Sequence, residues 1–117
     1  AETFAQELTG GDAPQEACRR LAAMGPRVVG VTLGARGYVA LTEGRFIERP
    51  AYPVQAVDTT GCGDVFHAGF LYGSLTRWSV ERRLDFGAWA AARVSLYPGG
   101  RTGIPTPADI ERNDYGA

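Results

Sequence analysis

The chain has no lysine: all twelve of its basic residues are arginine. That excludes a Walker A loop, whose lysine reaches the phosphates, and a Schiff-base mechanism. There is a single histidine, His67, too little for a histidine-built metal site and no basis for a Ser-His-Asp triad. Only two cysteines occur, Cys18 and Cys62, far apart and in different local contexts. They form neither a disulfide framework nor a zinc spacing and read as reduced thiols of a cytoplasmic protein. No apolar run approaches the roughly 18 residues of a membrane span. The opening AETFAQELTGGD is polar and mixed, without the basic start and apolar stretch of a signal peptide. Charge of one sign is lacking too. The net charge is −1, so nothing suggests a general binder of nucleic acid or anionic membrane.

What remains is an ordinary globular composition, 44% hydrophobic and 21% charged over 117 residues, enough for one domain with a modest core. Residues 13–24 place Ala17, Leu21, Ala22 and Met24 at helical spacing, with Asp12 as N-cap and Gly25-Pro26 as stop. RVVGVTLG, 27–34, reads as a buried strand. Glu43-Gly44 separates short apolar runs at 38–41 and 46–47, which predicts a β-hairpin. A weak strand signal returns at 53–57. Helices are expected near 64–76, closely packed through Ala68, Gly69 and Gly73, and over 79–97, with Ser79 as N-cap. A short helix from 107 to about 112 follows. Trp78 and Trp89 read as packing residues, and Arg82-Arg83 as an exposed helix face. The order is α/β, with few strands for a layered sheet.

The chemistry concentrates in DTTGCGDVF, 58–66. Gly61 and Gly63 let the backbone turn tightly and bare its N–H groups. A helix follows, so free amides and the positive end of its dipole point out of the loop. That is an anion site, suited to a transferring phosphoryl group. Asp64 stands at the mouth of that helix. A carboxylate repels an incoming phosphate, so two readings compete: a general base that takes a proton from an attacking hydroxyl, or a simple helix N-cap.

The longer pattern, D-T-T-G-C-G-D and then V-F-H-A-G-F, resembles the C-terminal signature of the ribokinase-like, or PfkB, family of carbohydrate kinases. Thr32-Leu33-Gly34-Ala35-Arg36-Gly37 looks like the family's nucleotide-contacting turn, and SLYPGGRTGIP, 95–105, like its loop over nucleotide and monovalent cation. The resemblance covers essentially all of 1–117. It implies a three-layer α/β/α sandwich, of which this chain is the C-terminal, nucleotide-binding part, and ATP-dependent phosphoryl transfer to a hydroxyl of a sugar or sugar-like substrate, with Mg2+. It implies Asp64 as catalytic base and the backbone at Gly61, Cys62 and Gly63 as anion hole. Thr32, Gly34, Gly37 and Ala92 would line the nucleotide. Asp58 and Thr60, with backbone oxygens near Ser95, Pro98 and Gly100, would hold a K+-type ion, oxygen ligation being suited to a hard cation. An Asx turn opening the loop is the other reading of Asp58.

The sequence also departs from the family. Ala1 and Phe4 stand at the Asn and Glu positions of the N-x-x-E motif that organises magnesium, with Glu2 and Glu7 as nearby carboxylates. Gly103 falls where some members place an ion-holding serine. Cys62 replaces the commoner alanine and is read as inert. His67 is read as packed or capping, and Arg36 and Arg101 as phosphate contacts or solvated groups. The family's N-terminal half, with lid and sugar pocket, has no counterpart here, so the chain alone is expected to be inactive, and a homodimer belongs to the complete enzyme. The alternative is a nucleotide-binding fragment or pseudokinase acting as an interaction module. A Rossmann dehydrogenase is a poor third reading, because no G-x-G-x-x-G follows a first strand with an acidic residue about 20 positions on.

Overall fold

The computed structural model describes residues 1–112. The chain divides into two compact units, Ala1–Ala51 and Tyr52–Ala117.

In the first unit, helices α1 (Glu2–Thr9) and α2 (Pro14–Ala22) precede strands β1 (Val28–Thr32), β2 (Tyr38–Thr42) and β3 (Arg45–Arg49). The strands form one antiparallel sheet in the order β1-β2-β3. Helix α1 is an element the sequence reading left unassigned. It is short, with only Ala5 and Thr9 buried, and the Thr9 hydroxyl donates to the Ala5 carbonyl at 2.7 Å. Gly10, in the left-handed region at φ 79°, ends it. Helix α2 starts without the predicted Asp12 cap: Ala13 precedes it, Pro14 takes the first turn, and Asp12 pairs with Arg20 at 3.1 Å. Proline needs no N–H acceptor there, so the helix can open without a side-chain cap.

The core of this unit joins Ala5, Ala17, Cys18, Val29, Val31, Val39 and Leu41. Strand β1 was expected to be buried throughout. It lies at a sheet edge and alternates instead, with Val29 and Val31 buried and Gly30 exposed. The fully buried strand is the central one, β2. The hairpin forms as read: Thr42 faces Arg45 across a two-residue loop. Glu43 and Gly44 both take positive φ, 49° and 76°, the turn whose twist suits paired strands.

The second unit is helical over the described residues. Helices α3 (Cys62–Leu75), α4 (Val80–Ser95) and α5 (Pro107–Arg112) follow one another. The weak strand signal at 53–57 yields no strand. The Val57 amide is instead bound by the Ser95 carbonyl at 2.7 Å. Helices α3 and α4 cross through glycines. A Cβ on Gly69 would lie 2.9 Å from Gly87 Cα, and one on Gly87 would lie 2.7 Å from the Phe66 carbonyl oxygen. Gly73 is likewise buried, whereas Ala68, expected in this seam, is exposed.

Ser79 caps α4 by accepting the Arg82 N–H at 3.2 Å, as read. Tyr72, Trp78, Phe86 and Trp89 form a ring cluster, with Trp78 and Phe86 edge to face at 5.3 Å. The Arg82-Arg83 pair is not merely solvated. Arg82 lies 4.2 Å over the Trp78 ring, and Arg83 Nε donates to the Trp78 carbonyl at 2.7 Å.

Candidate functional site

Helix α3 begins at Cys62, two residues earlier than expected, behind Gly61 at φ 77°. Its first helical bond runs from the Val65 N–H to the Gly61 carbonyl at 2.9 Å. The Gly63 and Asp64 amides precede that bond and have no carbonyl partner within the helix. Both residues are exposed, and a Cβ on Gly63 would meet nothing within 4 Å. The Cys62 amide is differently engaged, donating to the Thr59 carbonyl at 3.2 Å. Asp64 therefore lies inside the first turn and does not precede the helix. It is not the N-cap, so that reading is withdrawn on geometric grounds. Asp64 is exposed in the same turn as those amides. His67, one turn on, is exposed and not packed.

Asp58 makes the Asx turn: one carboxylate oxygen accepts the Thr60 N–H at 2.9 Å. The other accepts the Gly99 N–H at 2.8 Å. The Gly99 amide, then the Thr60 hydroxyl and amide, hold its pKa down at about 2. The Ser95 carbonyl accepts two amides, Val57 at 2.7 Å and Asp58 at 3.1 Å. The Ser95 hydroxyl donates to the Ala92 carbonyl at 2.7 Å, which fixes Ala92, half-buried on α4, at the end of the helix. Gly100, at φ 73°, presses on the loop: a Cβ there would lie 2.6 Å from the Thr60 carbonyl oxygen. Asp58, Thr60, Gly61, Ser95 and the 98–100 turn thus come together. Gly103 is buried against α4, and a Cβ there would sit 2.6 Å from the Arg93 carbonyl oxygen, so no serine fits at that position.

Burial, and then the charge of Asp58, push the Cys62 thiol up, in line with the inert reading. Its Sγ donates to the Ala91 carbonyl at 3.5 Å. The sequence did not disclose a cluster around Asp109. Buried Asp109 accepts the Thr106 N–H and hydroxyl at 2.9 and 2.8 Å. It pairs with Arg93 at 3.1 Å and with Arg112. A Thr-x-x-Asp spacing before α5 was the one available signal.

In the first unit, Thr32 ends β1, Gly34 opens a single 3-10 turn (Gly34–Arg36), and Gly37 leads into β2. Gly37 is obligatory: its φ is 96°, and a Cβ would fall 1.9 Å from the Arg49 carbonyl oxygen. Arg36 is paired with Glu2, so the two side chains singled out for phosphate and magnesium hold each other. Phe4 is exposed and Glu7 solvated. Arg101 is exposed. Among the described residues, no group of three or more His, Cys, Asp or Glu could hold a metal ion.

Comparison with known proteins defines the class. The model of the pfkB family carbohydrate kinases matches residues 1–107, and the chain belongs to this family. A ribokinase from Haemophilus influenzae is 36% identical over 110 residues, 90% of this chain and 36% of that protein. Among solved structures, Arabidopsis thaliana ribokinase complexed with ribose and ATP is 30% identical, with a TM-score of 0.83. It is matched over 95% of this chain and 38% of its own. A double-mutant fructokinase from Vibrio cholerae, in its fructose, ADP and potassium ion bound form, is 26% identical with a TM-score of 0.83. The covered shares there are also 95% and 38%. The fold is therefore ribokinase-like α/β, and the chain spans between 26% and 37% of the length of curated relatives it matches.

Proposed function

We propose that this chain is the nucleotide-side portion of a sugar kinase that transfers the γ-phosphoryl of ATP to a hydroxyl of a sugar or sugar-like substrate. The observation that carries this is the exposed Asp64 in the first turn of α3, the turn whose Gly63 and Asp64 amides have no carbonyl partner within the helix. Those amides and the helix dipole stabilise charge on the transferring phosphoryl. Asp64 takes the proton of the attacking hydroxyl, which makes that oxygen a nucleophile as the phosphorus–oxygen bond to ADP breaks. Gly61, Cys62 and Gly63 form the anion hole, with the Cys62 amide bound to the Thr59 carbonyl at 3.2 Å in this structure. Thr32, Gly34 and Gly37 of the first unit, and separately Ala92 of the second, are the positions the family resemblance assigns to nucleotide contact. Mg2+ arrives on the ATP phosphates as part of the substrate, where it neutralises charge.

In the complete enzyme, Asp64→Asn is expected to abolish ADP release with ribose or fructose as acceptor, while ADP binding by calorimetry is kept. Turnover retained in the variant would remove Asp64 from the role of base. The pairing of Glu2 with Arg36 favours a second reading, a module that binds nucleotide without transfer. Nucleotide binding without ADP release across a panel of sugars would select it.

A further inference from the structure

The stretch 98–103 carries three glycines, Gly99, Gly100 and Gly103. Glycine loses more freedom on ordering than any other residue, so the position of this loop depends on what fastens it. Its early end meets the anion-hole turn. The Gly99 amide donates to Asp58 at 2.8 Å. A Cβ on Gly100 would lie 2.6 Å from the Thr60 carbonyl oxygen, and one on Gly61 would lie 3.5 Å from the Gly100 carbonyl oxygen. Gly61 is where α3 opens.

Its late end is tied to one arginine. Arg93 lies in the last turn of α4, and its Nε donates to the Gly103 carbonyl at 3.2 Å. The same guanidinium pairs with buried Asp109 at 3.1 Å. Its rigid fork of donors serves a carbonyl and a carboxylate in set directions. Asp109 is fixed in turn by Thr106, whose amide and hydroxyl donate to it. The Asp109 amide donates back to the Thr106 hydroxyl at 3.3 Å, the reciprocal bonding of a capping box. Gly103 and Thr106 are therefore both anchored on the Arg93–Asp109 pair.

We propose that Arg93, held by Asp109, is a positioning residue for nucleotide binding: it fastens the 98–103 loop against the turn that opens α3, without touching the nucleotide itself. The inference rests on the kinase reading above, in which 95–105 lies over the nucleotide. A pair that only joined α4 to α5 would have no need of the Gly103 carbonyl.

The test separates positioning from folding. ADP binding by calorimetry and steady-state ADP release with ribose or fructose are measured in the complete enzyme, well below its unfolding temperature. Arg93→Met removes both polar attachments, while Asp109 keeps Thr106 and Arg112. It is expected to weaken ADP binding about tenfold and to raise the KM for ATP alike, with the KM for sugar within about twofold. Arg112→Met removes the other partner of Asp109 and spares Gly103. It is expected to leave ADP affinity within about twofold, even where it lowers the unfolding temperature. Unchanged ADP affinity in folded Arg93→Met, or equal losses in the two variants, overturns the proposal. Should Arg93→Met fail to fold, Asp109→Asn keeps an acceptor for Thr106 and releases Arg93. It is expected to weaken ADP binding about threefold, and no change overturns the proposal. If ADP binds but no sugar supports its release, the kinase reading fails alone, and the ADP affinities still decide the role of Arg93. If the unsubstituted enzyme binds no ADP, both fall.

Discussion

At the scale of single residues, carboxylates do different work according to what donates to them. Asp109 is buried and bound first by the Thr106 amide and hydroxyl, then by the charges of Arg93 and Arg112, and its pKa is lowered. A carboxylate with a depressed folded pKa adds stability that is fully present above its unfolded value of about 3.9. That stability is lost as pH falls through the folded value. Asp109→Asn is therefore expected to lower the unfolding temperature at neutral pH. The gap to the unsubstituted protein should narrow as the pH drops below about 4. A gap that stays constant into acid would show that the charge of Asp109 contributes nothing. The Asx turn of Asp58 was legible, because its donor Thr60 lies two residues on. Its second donor, Gly99, is 41 residues away, and no local pattern connects them. The Arg93–Asp109 pair was hidden for the same reason.

At the scale of elements, glycine decides the second unit. Alanine is the better helix former by about 1 kcal/mol, yet Gly69→Ala is expected to destabilise. Its Cβ would meet backbone, Gly87 Cα, at 2.9 Å, and overpacking of this kind costs about 1–3 kcal/mol. Gly63→Ala, with nothing within 4 Å, is expected to leave the fold as stable or slightly more so. Urea denaturation of both variants checks the contrast, and equal effects would refute the glycine seam. The seam was half readable: small residues at helical spacing announced close packing, but sequence alone included exposed Ala68. Strongly patterned elements were found, the Glu43-Gly44 hairpin and the Ser79-capped α4 among them. Helix α1 was missed: it is only eight residues long and no side-chain cap marks its start.

At the scale of the whole molecule, α3 buries one side against α4 and leaves Leu71 and Leu75 bare, at 61% and 85% exposure. With Asp64 and Ala68 they form one stripe at helical spacing. A helix apolar on both sides ordinarily has cover on both, and the relatives are more than twice as long as the matched stretch. The 117-residue chain is expected to self-associate in solution through this stripe. Leu71→Glu with Leu75→Glu should shift it toward monomer in size-exclusion chromatography with light scattering. An unchanged mass distribution would show that the stripe takes no part.

The sequence by itself determined the family and singled out the loop to which the chemistry is proposed to belong. Both reside in contiguous residues, where turn glycines, a following helix and a carboxylate act over a few positions. It determined the hairpin too, because two residues with positive φ dictate that turn. Only the tertiary structure decided which amides of the loop lack a helical carbonyl partner, that Glu2 and Arg36 hold each other, and that Ser95 and Gly99 close around Asp58. Those outcomes depend on hydrogen bonds between residues far apart in the chain. A donor's partner is set by where the fold delivers it, and that is not written in its neighbours.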